Sequence, residues 1–127
     1  MSENKFDHIL SRFTDRFSPC IDTYPGWDKI ILELDEMLSY ISPDYTVDQI
    51  KTKFAGLRYY ANYVPRDNEP NQSVAHHIFS NLIYYYETIS RNICEVCGDY
   101  GQKHSLNGWH FIACDLHKDQ HPSRYLS

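Results

Sequence analysis

Cys94-Glu95-Val96-Cys97-Gly98, followed with sixteen residues between Cys97 and Cys114 by Cys114-Asp115-Leu116-His117, decides how the last third of this chain is built. Two ligand pairs, each closed over two residues and lying about 15–20 residues apart, have the spacing of a zinc site. Three thiolates and one imidazole fill the four tetrahedral positions that Zn²⁺ takes in structural sites. Such a site leaves no position for water or substrate, so it holds a fold together and does no chemistry of its own. The expected cofactor is therefore one structural Zn²⁺ on Cys94, Cys97, Cys114 and His117. His121 offers a second imidazole four residues beyond His117. The two-residue spacing, matching that of the first pair, favours His117.

Around these ligands the sequence predicts a small module. Cys94 to Gly98 has the form of a zinc knuckle, two thiolates on a tight turn with a glycine behind them. Lys103 to Ser105 and Trp109 to Ala113 predict two strands joined at Leu106-Asn107-Gly108, where Asn-Gly is a strong short hairpin signal. A short helix over 115–121 is expected to carry His117 in its first turn. Knuckle, hairpin and helix together describe a treble-clef-like zinc module. Bound metal contributes on the order of 10 kcal/mol to folding such a module at neutral pH.

Upstream, Phe6, Ile9, Leu10, Phe13 and Phe17 recur at helical spacing and predict an amphipathic helix over 4–17,. Asp22 or Thr23 can cap a second helix that has Pro25 near its first position. Trp27, Ile30, Ile31, Leu34, Met37, Leu38 and Ile41 supply its apolar face, and Ser42-Pro43-Asp44 ends it. The β-branched and aromatic residues of 46–64 predict antiparallel strands over 46–53 and 57–64. The turn is expected at Ala55-Gly56, with Gly56 taking a positive φ. After the loop 65–71, a third helix over 72–91 is expected to bury Val74, Ile78, Leu82, Tyr85 or Tyr86, and Ile89, and to run directly into Cys94. The fold class is thus α+β: two amino-terminal helices, a β-hairpin, a third helix and a treble-clef-like zinc module. It reads as a single domain over 1–127, with an α+β body over 1–92 and a zinc-binding subdomain over 93–121.

Composition bounds the function. The 127 residues carry a net charge of −5, and neither the body nor the zinc module is basic, so no phosphate-binding footprint is evident. Met1-Ser2-Glu3-Asn4-Lys5 has no apolar signal core, and Cys20 alone is left outside the metal set. Reduced thiols in a cytoplasm fit that count better than disulfides. Eleven tyrosines stand out; tyrosine joins an apolar body to a polar tip and suits both half-buried edges and binding faces. No phosphate loop, nucleophile elbow or paired carboxylates suggest an enzyme. His104, Asn107 and His110 evoke an HNH-like nuclease on a treble clef, but the structural ligands occupy the start of the helix such an enzyme would use. His8, His76 and His77 have no ligand spacing.

Three segments carry a resemblance. Gly26-Trp27, the hairpin Val47 to Tyr60 with Lys53-Phe54-Ala55-Gly56-Leu57-Arg58-Tyr59-Tyr60 at its centre, and Cys94-Glu95-Val96-Cys97-Gly98 with Gly108-Trp109 and Cys114-Asp115-Leu116-His117 resemble an uncharacterised family of small proteins encoded by bacteria and their phages. Members carry a Lys-Phe-Gly-Gly-Leu-Arg-Phe-Tyr hairpin and a terminal Cys-Glu-Val-Cys-Gly…Cys-Asp-x-His element. Ala55 and Tyr59 depart from that pattern. The resemblance implies a bacterial cytoplasm, a bound zinc and no particular reaction. Expected partners are therefore other proteins, such as a host factor or defence system if the chain is phage-encoded. Nucleic acid is the alternative, through Lys51, Lys53, Arg58, Lys103, Lys118 and Arg124.

Overall fold

The computed structural model describes residues 4–14 and 18–126. The apolar repeat beginning at Trp27 forms α2 (Asp28–Ile41), entered through a 3-10 turn over Pro25–Trp27. Neither Asp22 nor Thr23 caps it: the residue before the helix is Trp27, and no side chain closes its first turn. Pro25 instead sets the 3-10 turn, where its missing N–H costs nothing. Ile30, Ile31, Leu34 and Leu38 are buried. Met37 is exposed, since it lies off that stripe, and it accepts a hydrogen bond from the Tyr86 hydroxyl.

The expected amino-terminal helix shrinks to α1 (Asp7–Leu10). The reason is Arg12, whose guanidinium is drawn onto α2. It donates to Asp35 at 3.1 Å, to Ser39 at 2.7 Å and to the carbonyls of Pro43 and Tyr45 at 2.9 Å each. Held there, the backbone turns extended, and Phe13 bridges to Val47 in a parallel sense. Asp35, itself buried, also accepts from the Tyr45 hydroxyl at 2.5 Å and bonds the His8 ring at 3.0 Å. A buried carboxylate is tolerated only with such partners. Phe17, with Asp15 and Arg16, lies outside the described residues.

The residues before Pro25, expected as loop, include a short strand β1 (Ile21–Asp22) parallel to β2 (Thr46–Thr52), which pairs antiparallel with β3 (Leu57–Asn62). The predicted hairpin is present, slightly shorter at each end. Its turn is not where glycine would put it. Phe54 and Ala55 take positive φ of 52° and 58°, closed by Lys53 N–H donating to the Gly56 carbonyl at 2.8 Å. This is the two-residue geometry that matches strand twist, here at non-glycine residues. Gly56 serves a different end: a Cβ there would meet the Arg58 and Arg91 side chains at 3.3 and 3.4 Å.

The helix α3 (Gln72–Ser90) packs on α2 and on β3. It buries Phe79, Tyr86 and Ser90, whereas Val74, Ile78 and Tyr85 face solvent. The first half of the helix is therefore rotated from the face that periodicity suggests. Two side chains explain the alignment. Ser90 Oγ accepts from Leu57 N–H and Glu87 carboxylate from Tyr59 N–H, both at 2.9 Å. These are outward-facing donors of β3, so α3 closes a sheet edge that would otherwise invite pairing.

The second predicted hairpin is β4 (Gln102–Leu106) and β5 (Trp109–Ala113), with Asn107 and Gly108 at φ of 51° and 84°. The helix expected over 115–121 is not formed. Residues 115–119 make consecutive turns, and a 3-10 segment over Pro122–Tyr125 follows. Pro122 lacks the N–H that a continuing helix needs. The His121 ring caps the 3-10 segment instead, accepting from Ser123 N–H at 3.2 Å. Among the described residues the architecture is mixed α and β, with three α-helices and two small sheets.

Body and module meet at Gly26. A Cβ on Gly26 would lie 1.9 Å from the Cys94 carbonyl oxygen. Its N–H donates to the Glu95 carbonyl at 2.7 Å, and Trp27 Nε1 donates to the Ile93 carbonyl at 2.9 Å. Gly26→Ala is expected to destabilise the protein by about 3 kcal/mol, as overpacking against rigid backbone does. Urea unfolding should show this as a lower midpoint, and an unchanged midpoint would contradict the contact.

Candidate metal centre

Each ligand is placed by a different local device. Ile93 bridges to Tyr100, and Cys94 N–H donates to the Asp99 carbonyl at 2.7 Å, bending the chain into the knuckle. Gly98, at φ of 84°, donates its N–H to the Cys94 carbonyl at 2.9 Å; a left-handed position of this kind is where glycine is favoured. Cys114 leaves the end of β5, and His117 N–H donates to the Cys114 carbonyl at 3.0 Å, so one turn suffices to bring the imidazole alongside.

The ligating atoms of Cys94, Cys97, Cys114 and His117 all lie within 4.8 Å of one another. Cys97 Sγ and Cys114 Sγ are 3.7 Å apart, and His117 Nδ1 lies 3.2 Å from Cys114 Sγ and 3.7 Å from Cys94 Sγ. Metal–sulfur bonds of about 2.3 Å in a tetrahedron give a sulfur–sulfur edge of about 3.8 Å. The cluster thus has the dimensions of a four-coordinate site and can hold a metal ion. All four residues expected from the sequence come together. His121 does not join them: its Nδ1 is engaged by Ser123, and its ring stands edge-on to Tyr24, Trp109 and Phe111.

The electrostatics point the same way. Burial pushes the Cys94 thiol up, yet the backbone N–H groups of Cys97, Cys114 and Val96 together with the His117 ring outweigh it and lower it to about 7. Cys97 is pushed up to about 12, by burial first and then by the neighbouring Cys94 and Cys114 sulfurs. The pocket accommodates one anionic sulfur readily and resists the next. A cation among the sulfurs reverses that repulsion, because a coordinating thiol is deprotonated by its metal.

The side chain the motif treats as a spacer holds the site in place. Glu95 is 1% exposed and buried among partners from both halves of the protein. Its carboxylate accepts from Ile112 N–H at 2.8 Å and from the Thr52 hydroxyl at 3.1 Å, while its own N–H donates to the Ile112 carbonyl at 2.9 Å. Burial raises its pKa, against which those two donors act. A charged residue between two cysteines normally reads as solvent-facing. The signal that could have found it is the joint occurrence of Gly26-Trp27 and the knuckle, which the structure shows in direct contact.

The other candidates separate. Cys20 is an exposed thiol that is not part of the cluster. His76 stacks on Tyr63 at 5.0 Å, and His77 bonds Asn81. His104 packs near Phe111, and His110 is exposed on the opposite strand. Comparison with protein-family models, with curated proteins and with solved structures gave no match.

Cys97→Ser and His117→Ala are each expected to lose bound metal, whereas Cys20→Ser and His121→Ala should retain one ion per chain. Metal content by elemental analysis checks this. Full occupancy in Cys97→Ser, or loss in His121→Ala, would show a different ligand set.

Proposed function

We propose that the chain is a small zinc-stapled recognition protein that binds another protein through its helical face. The observation that carries this reading is the composition of α3. Over its nineteen residues it has one charged side chain, Glu87, and that one is turned inward to Tyr59 N–H. A helix at the surface ordinarily shows charge on its outer side. Here the outer side shows Val74, Ile78, Tyr84 and Tyr85, the last two 71% and 58% exposed. Tyr40, 81% exposed, stands beside them on α2, where it lines a shallow groove with Val74 and Ile78. Among these, His77 and Asn81 are also exposed and bonded to each other, so the outer face is apolar and uncharged polar. Exposed apolar side chains gathered in this way mark interaction sites, and tyrosine is enriched where partners dock.

The proposed ion is Zn²⁺, supported by the three-thiolate, one-imidazole donor set and the tetrahedral edge lengths. With four protein ligands it is structural, and the module is a treble clef whose closing helix is reduced to turns. The resemblance to bacterial and phage proteins makes a host regulatory factor the proposed partner. No helix is long and apolar enough to cross a membrane, among the described residues.

Val74→Asp/Ile78→Asp should leave metal content and thermal unfolding nearly unchanged, because both positions are exposed. It should abolish retention of a partner protein by the immobilised chain at high salt. Retention that is lost with salt and indifferent to the double variant would favour nucleic acid, since phosphate contacts release counterions.

A further inference from the structure

The turn tips of the two hairpins flank a cleft of about 700 Å³, lined by none of the residues of the helical stripe. Its volume lies within the range of small-ligand sites. Phe54 rises on one side from the body hairpin and Trp109 on the other from β5, 77% and 69% exposed. Buried Phe111 and the half-buried rings of Tyr24 and His121 line it further.

Phe54 is the feature that calls for an explanation. A bulky residue at φ of 52° is uncommon and costs of the order of 1–2 kcal/mol relative to an ordinary conformation,. The two-residue hairpin turn imposes that conformation, and the ring it carries is left in solvent. The conformation places it at the mouth of the cleft with Lys53 Nζ 5.5 Å from its centroid. Arg124, from the 3-10 segment, and Asp119 complete the polar rim.

Three ligand chemistries can be weighed against this lining. A purely apolar ligand would leave Lys53, Arg124 and Asp119 unmatched. A bare anion would make no use of the aromatic rings and would meet Asp119. A planar ring bearing amino or imino donors and one anionic group uses all of them. We propose that the cleft takes a nucleotide unit, its base stacked on Trp109 and Phe54 and its phosphate against Lys53 and Arg124. Base–aromatic stacking tolerates any base, and Asp119 accepts from the donors on the base edge. Glu95 takes no part in this, since its two oxygens are engaged by Thr52 and Ile112. The same unit can come from a free mononucleotide or from a single strand.

The chain has two tryptophans, and Trp27 is 0% exposed, so quenching by a ligand in the cleft reports Trp109. The metal-loaded full chain is titrated with AMP, GMP, CMP and UMP, and separately with a single-stranded oligonucleotide of about ten residues. Saturable quenching by a mononucleotide identifies a free nucleotide as the ligand, and quenching by the strand alone identifies single-stranded nucleic acid. In either case Lys53→Ala/Arg124→Ala should weaken binding about tenfold, and Trp109→Leu, followed by equilibrium dialysis, should do the same. Metal content and thermal unfolding of these variants should match the wild type. The proposal is overturned if neither source quenches, if quenching survives in Trp109→Phe, or if the double variant binds as tightly as the wild type.

Discussion

The rest of the structure depends on how close the knuckle lies to the start of α2. With 1.9 Å between an imagined Gly26 Cβ and the Cys94 carbonyl, no residue but glycine lets these two stretches of backbone meet. The contact is more than close packing. Gly26 N–H and Trp27 Nε1 satisfy the carbonyls of Glu95 and Ile93, on either side of the first ligand. Glu95 then ties the knuckle to β5 and to the body hairpin. Buried polar groups of this sort are costly unless fully paired, so the body itself fixes the position of Cys94, whose sulfur belongs to a cluster that can hold a metal ion.

A second theme is the treatment of sheet edges in a protein with little sheet. β3 is covered by Ser90 and Glu87, and Ser42 does the same further along, accepting from Val64 N–H at 3.0 Å and donating to its carbonyl at 2.7 Å. Charge spent in this way is absent from the outer face of α3. The inward pull of Glu87 and the apolar exterior of the helix are two aspects of one arrangement. The same holds at the amino terminus, where Arg12 gives up helix to reach Asp35 and three other acceptors on and beyond α2.

Much of this was legible in the sequence. The meeting of Cys94, Cys97, Cys114 and His117 followed from their spacing, α2 from its repeat, and the Asn107-Gly108 turn from residues that accept positive φ. Most of the failures come from tertiary contact overriding a local pattern, and one from local backbone chemistry. Phe54-Ala55 has no turn propensity, so Gly56 drew the expected positive φ one residue too far. Val74 and Ile78 fit a helical stripe, yet the stripe that is buried passes through Phe79 and Tyr86, because Glu87 and Ser90 must reach β3. The helix after Cys114 failed at Pro122 and at the His121 cap. Glu95 and Gly26 could not be found by spacing, since their roles exist only when residues far apart in sequence meet.

Metal binding and the folding of the body should therefore form one cooperative unit, joined at Gly26, Trp27 and Glu95. The most direct measurement follows the emission of Trp27, in a Trp109→Phe background, while a chelator removes the metal. The account predicts that Trp27 emission shifts to the red in step with metal loss, as the knuckle leaves the carbonyls and backbone it packs on. A metal-free protein in which Trp27 emission and the amide protection of α2 and β2 stay as they were would contradict it.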